Sequence, residues 1–282
     1  MTDMVAQENL LFYITFAAYG LATFLYIGFL VIRNQSLARI GYYSIVIGVL
    51  ANTAALALRA IVAGYVPLTN GYEFLLAFSW GIASVYLFAE KKYQIPVAGA
   101  FVVPTAWLIL AYVAVLMDPA SRAARPLMPA LQSNWLTYHV ITAMFSYGAF
   151  AFSFGVGIMY LWKKSAESRE KQRGVVAFLP SSEKLDEIGY RLIAIGFPLL
   201  TLCIITGAIW AEYAWGRYWS WDPKETWSLI TWLIYAAYLH ARFTYGWKGN
   251  RAAWMAVIGF LAVLFTFFGV NYFLSGLHSY AK

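Results

Sequence analysis

Long apolar runs separated by short polar gaps repeat along the whole chain, near residues 10–32, 40–62, 72–90, 95–117, 135–162, 189–212, 224–245 and 252–275. Each run reaches the roughly 20 residues that a helix needs to cross the hydrocarbon core of a bilayer. A lipid-facing backbone must satisfy its own hydrogen bonds, so runs of this length predict helices. The pattern therefore predicts an all-α, polytopic membrane helix bundle with about eight transmembrane helices. Gly48, Pro104 and Pro198 fall inside runs and are tolerated where neighbouring helices re-satisfy the backbone. An even number of crossings puts both termini on one side.

Composition agrees, with 62% of residues apolar and 12% charged. The formal charge of +7 is compatible with nucleic-acid binding until the basic residues are placed. No Lys or Arg precedes Arg33, and with the N-terminus set outside, fourteen basic residues fall on inward segments, Arg33, Arg39, Lys91, Lys92, Lys163 and Lys164 among them. The outward side keeps six: Arg59, Arg122, Arg125, Arg217, Lys224 and Lys282. That asymmetry follows the positive-inside rule. The excess charge is a topology signal, with lipid and not nucleic acid as the surroundings.

The first run lacks a basic leader and a small-residue cleavage pattern, and reads as a retained helix. The whole chain, 1–282, reads as one membrane domain, with N-terminal helices over 1–70 and a core over 71–282. The longest polar segment, about Lys163 to Gly189, predicts an inward loop with a short amphipathic helix around Ser182–Ile188. No internal repeat is evident, so the inverted-repeat signature of many transporters is missing. Cys203, the only cysteine, excludes an internal disulfide and a C-x-x-C-H attachment site. In mid-run it reads as a small packed apolar group.

One polar gap differs from the rest. Between Trp215 and Glu225 it holds Trp215, Tyr218, Trp219 and Trp221, which is dense for the aromatic belt that any membrane protein carries. Asp222, Pro223 and Glu225 have a local explanation as N-cap, first helical residue and capping-box partner. Gly216 would let the backbone approach a ligand. Wide aromatic faces suit a flat amphipathic ligand. Two of the three histidines, His139 and His278, fall on the same side as this gap. Two neutral imidazoles on opposite faces of a porphyrin give six-coordinate, low-spin iron, which points to haem. His240 lies seventeen residues past Pro223, roughly 25 Å along a helix at 1.5 Å per residue. It either packs or takes its mate from a second protein. A di-haem electron-transfer subunit would need histidine pairs facing each other within the bilayer, which this distribution does not supply. A haem exporter stays open, and a small-solute transporter lacks a polar cluster at the midplane.

The gap resembles the WWD signature of the CcsA (ResC) family, the membrane half of the system II cytochrome c synthase. The match, W-G-x-x-W-x-W-D-x-x-E, falls on Trp215, Gly216, Trp219, Trp221, Asp222 and Glu225. Pro67–Trp80, Gln132–His139 and Gly269–Tyr280 resemble three further motifs of the family in the same order. CcmC and CcmF carry related WWD segments, but Asn70–Glu73 and the Gly276–Tyr280 ending favour CcsA. The resemblance implies that His139 and His278 are external axial ligands of a non-covalent b-type haem in transit, held against the tryptophan shelf. It implies that His240 is a transmembrane haem ligand whose mate comes from a CcsB (ResB)-type protein. The implied activity is a haem lyase that acts together with that protein. The two thiols of a C-x-x-C-H apocytochrome c would add to the haem vinyl groups, with thiol-reducing proteins as further partners. Asn70, Glu73 and Arg217 are candidate contacts for propionates or substrate. The implied location is the bacterial cytoplasmic membrane, or the thylakoid membrane, with the active site on the periplasmic or lumenal face.

Overall fold

The computed structural model describes residues 2–124, 126–169, 174–274 and 276. Among them every regular element is helical: α1 Thr2–Ile32, α2 Gln35–Ala63, α3 Gly71–Tyr93, α4 Gly99–Val115, α5 Asn134–Glu167, α6 Val175–Phe178, α7 Ser182–Trp215, α8 Pro223–Tyr245 and α9 Asn250–Leu264. The last of these continues through a π turn, Phe265–Gly269, into α10, Val270–Phe273.

Seven spans are long and apolar enough to cross a membrane, and the chain is an integral membrane protein. The eighth expected span, α8, forms at 23 residues but falls short in apolarity. Its first turns carry Lys224, Glu225, Thr226, Ser228 and Thr231. The amphipathic stretch Ser182–Ile188 is no separate helix: it forms the first two turns of α7, and the short free-standing helix is α6. Apolar residues Leu185 and Ile188 are buried there, which ties the stretch into the bundle and lets the helix run on.

In lipid, helices associate through close packing and interhelical hydrogen bonds more than through the hydrophobic effect. Glycines supply the close approach. A Cβ at Gly48 would lie 2.5 Å from the Tyr19 ring, which brings α1 onto α2. Gly196 does the same for Phe150 between α7 and α5, where the Ser146 hydroxyl also donates to the Gly196 carbonyl at 2.8 Å. Midway along α8 the Trp232 indole donates to Thr201 Oγ1 of α7 at 2.9 Å. Near its C-terminal end Arg242 pairs with Asp186 of α7 at 2.7 Å.

The helices alternate in direction. The starts of α3, α5 and α8 and the ends of α2, α4, α7 and α10 gather at one end of the bundle, together with the tryptophan gap. A second, smaller apolar cluster of Leu68, Ala77, Leu131, Leu136, Val140 and Trp210 lies there, apart from the main core. That cluster is the floor of the site.

Candidate functional site

A cavity of about 1130 Å³, its open mouth included, sits at this end between α3, α5, α7, α8 and the π turn. His139, Trp210, Tyr218, Trp219, Lys224 and Phe267 are among its lining residues, and most of its wall is apolar. His139 lies in the second turn of α5, which Ser133 starts by accepting from the Trp135 amide. Its Nδ1 is 2.7 Å from the Cys203 carbonyl of α7. A carbonyl only accepts, so Nδ1 carries the proton and Nε2 keeps the lone pair. An Nδ1–H held by a carbonyl is an orientation that metal-binding imidazoles also use.

Gly207 makes this contact available. A Cβ there would lie 2.6 Å from His139 Nδ1, so any larger residue pushes the ring off α7. The imidazole also lies nearly parallel to the Trp210 indole, at 19° and 6.3 Å between centroids. Trp210 is only 2% exposed. Its Nε1–H donates to the Ala130 carbonyl at 2.8 Å, and Trp215 meets its face edge-on at 4.9 Å.

The gap itself divides into parts. Trp215 ends α7, and Gly216 takes the left-handed conformation at φ 72° as the C-cap, with open space around it. Tyr218 and Trp219 line the cavity. Trp221, at φ 58°, is 69% exposed, stands edge-on to Trp219 at 5.7 Å and lies outside the lining, as does exposed Arg217. Asp222 caps α8, Pro223 is its first residue, and Glu225 closes the capping box. The Glu225 carboxylate accepts from Asp222 N at 3.1 Å and Ser220 N at 2.8 Å, which stitches the aromatic segment to the helix.

Asn70 and Glu73 belong to a neighbouring arrangement. Asn70 caps α3 by accepting from the Glu73 amide at 3.0 Å. Glu73, 0% exposed, takes Arg59 Nε at 2.9 Å and both Thr69 N and Oγ1 at 2.9 Å. Arg59 in turn reaches Glu8 at 3.6 Å. The Glu73 carboxylate is thus occupied in tying α1, α2 and α3 together. Asn70 lines a second cavity of about 1790 Å³, which shares Phe74, Lys224 and Phe267 with the first as a common wall.

His278 lies outside the described residues. Gly276 is described: a Cβ there would collide with Asp222 Oδ1 and reach 3.0 Å from Pro223 Cδ. His240 is exposed on α8, near the Thr244 hydroxyl at 3.5 Å and edge-on to Tyr245, and it does not line the cavity.

Sequence reasoning missed Gly207, Trp210, Lys224 and the π turn. Gly207 and Trp210 sit inside an apolar run where any small or large residue reads as packing. The π turn puts Thr266 and Phe267 on the cavity, and nothing in the residue pattern marks it. Such turns occur often at functional sites. Lys224 did carry a signal, since a cation at a helix N-terminus opposes the dipole.

A family profile described as Cytochrome C assembly protein matches residues 68–278. The cytochrome c biogenesis protein CcsA of Guillardia theta is 40% identical over 270 residues, 90% of each chain. This chain belongs to the CcsA family. CcsA of Gloeobacter violaceus is 38% identical over 99% of this chain and 97% of its own. CcsA of Synechococcus elongatus is 39% identical over 87% and 88%. In three dimensions the chain is similar to a solved structure titled Cytochrome c Heme Lyase CcmF, with a TM-score of 0.69 at 18% identity. That likeness spans 94% of this chain and 46% of the other, and it concerns the fold alone. The profile match takes in the cavity, the WWD segment and all three histidines of this CcsA chain.

Proposed function

We propose that this CcsA chain serves cytochrome c biogenesis as the haem-holding subunit of a cytochrome c synthase. The observation that carries the reading is the His139 imidazole, whose proton is fixed on Nδ1 by the Cys203 carbonyl and whose ring lies parallel to Trp210 in the wall of an apolar cavity. The residues suit haem as a substrate in transit. His139 Nε2 would bind the iron, Tyr218 and Trp219 would flank the porphyrin from the cavity wall, and the apolar lining would exclude water from it. His278 is the proposed second axial ligand. It follows Gly276, which rests on Asp222, by two residues, a span of about 7 Å at most.

The protein's contribution is placement. Holding the vinyl edge where an incoming C-x-x-C-H segment can meet it turns a bimolecular encounter into a positioned one. Each thiol of the apocytochrome c adds across one vinyl group, sulfur bonding the inner carbon and the proton ending on the outer one. No net oxidation is involved, and free thiols at the start are what thiol-reducing partners would supply. His240, exposed on α8, is open to a histidine of a CcsB (ResB)-type protein, and the lyase activity is assigned to the two proteins together. The basic asymmetry supports a cavity on the outer or lumenal face of a bacterial cytoplasmic or thylakoid membrane.

The test is the absorption spectrum of the chain purified with its CcsB-type partner, as wild type, His139→Ala and His278→Ala. Wild type should give a low-spin b-type spectrum, and each variant should lose it or turn high-spin. Unchanged low-spin spectra in both variants would remove both histidines from the iron.

A further inference from the structure

Lys224 is placed where a cation is costly. It occupies the second position of α8, at the positive end of the helix dipole, and is largely enclosed. Among the described residues its ammonium has no hydrogen bond and no ion pair. The two nearby carboxylates are committed elsewhere: Asp222 accepts from the Lys224 amide to cap the helix, and Glu225 holds Ser220 N and Asp222 N. Among the described residues lining the His139 cavity, Lys224 and Glu225 are the only Lys, Arg, Asp or Glu. Lys224 also stands on the wall shared with the second cavity, whose lining is richer in polar groups, Thr69, Asn70, Ser121 and Asn271 among them. A largely desolvated cation whose neighbouring Asp222 carboxylate is spent on capping the helix, facing an apolar chamber, is compensated when the ligand brings the anion.

We propose that Lys224 anchors a carboxylate of the ligand in the His139 cavity. On the haem reading, on which this inference rests, that carboxylate is a porphyrin propionate. The anchor then sets which edge of the porphyrin faces the shared wall, because one charged edge is pinned and the vinyl edge is not. A membrane-lipid phosphate is the other source of an oxyanion at this place, and the experiment separates the two.

The chain purified with its CcsB-type partner, in phosphatidylcholine nanodiscs, is titrated with haemin and with haemin dimethyl ester, which differ only in the propionates. Wild type should bind haemin about tenfold or more tightly than the ester, the scale of one charge-assisted contact. Lys224→Met should lose that preference by weakening haemin alone, and Lys224→Arg should keep it. Lys224→Gln repeats the neutralisation with a polar side chain if the Met variant does not fold. A Met or Gln variant with the wild-type preference overturns the assignment and leaves the haem site standing. Wild type that binds neither porphyrin removes the haem reading and this inference with it. In nanodiscs doped with phosphatidylglycerol, loss of retained anionic lipid by the Met variant with an unchanged porphyrin preference would assign Lys224 to a lipid headgroup instead.

Discussion

Gly207 carries no functional group, yet it decides where the His139 imidazole can stand. Its missing Cβ is what allows Nδ1 to reach the Cys203 carbonyl across the α5–α7 contact. Gly207→Ala is expected to push the ring away and break that hydrogen bond, at a cost of about 1 kcal/mol. Haem titration should show an affinity about fivefold or more below wild type with the helical content unchanged. An Ala variant that binds as tightly as wild type would mean that the tautomer is set by another contact. Trp210 has a heavier structural share, being almost fully buried and bonded to Ala130. Trp210→Ala should lower stability by about 3–5 kcal/mol, read as a fall in the unfolding midpoint even without haem. Trp221, exposed and outside the cavity lining, should be nearly neutral in the same measurement when changed to Ala.

Among the elements, α8 is the one whose composition is set by more than the bilayer. Its first turns are polar because they cap themselves and face the cavity, while its far end is tied down by Asp186. That carboxylate pairs with Arg242 at 2.7 Å and accepts from Gly249 N at 2.9 Å, with both charged side chains mostly buried. Removing one partner of such a pair leaves an uncompensated charge. Asp186→Ala is therefore expected to cost about 3–5 kcal/mol and to loosen the segment that carries His240. Hydrogen exchange over 240–250 checks this, and protection equal to wild type would show that packing alone holds the helix. Asp222→Ala acts at the other end. Loss of the cap should cost about 1 kcal/mol and also free Gly276 from its seat, so faster exchange should extend from α8 to the C-terminal segment.

For the molecule as a whole, alternation of eight long helices puts the 216–222 gap and the 246–249 turn at opposite ends of the bundle. In cells, Arg217→Cys and Lys248→Cys should therefore be labelled by a membrane-impermeant maleimide from opposite sides. Both positions are exposed, and buried Cys203 supplies a silent background. Labelling of both from one side would break the eight-crossing topology. Ligand binding should also report on the whole fold. Haem at a hundred times its dissociation constant should stabilise the chain by about 2.7 kcal/mol, and the increment should vanish in His139→Ala if the imidazole carries the affinity.

Apolar run length and the sparsity of charge determined, by themselves, a polytopic helical membrane protein. Both are one-dimensional consequences of bilayer thickness and charge transfer, so no contact is needed to read them. The start of α8 was equally legible, because Asp222, Pro223 and Glu225 cap a helix through neighbours along the chain. Tertiary structure alone decided which aromatics form the cavity. Trp210 from inside an apolar run joins Trp219 there, while Trp221 turns outward on a left-handed backbone. It also decided that Glu73 serves Arg59, that Gly207 seats His139, and that Lys224 is left facing two cavities. Those outcomes depend on which helix faces which across the bundle, and spacing along one chain does not encode that.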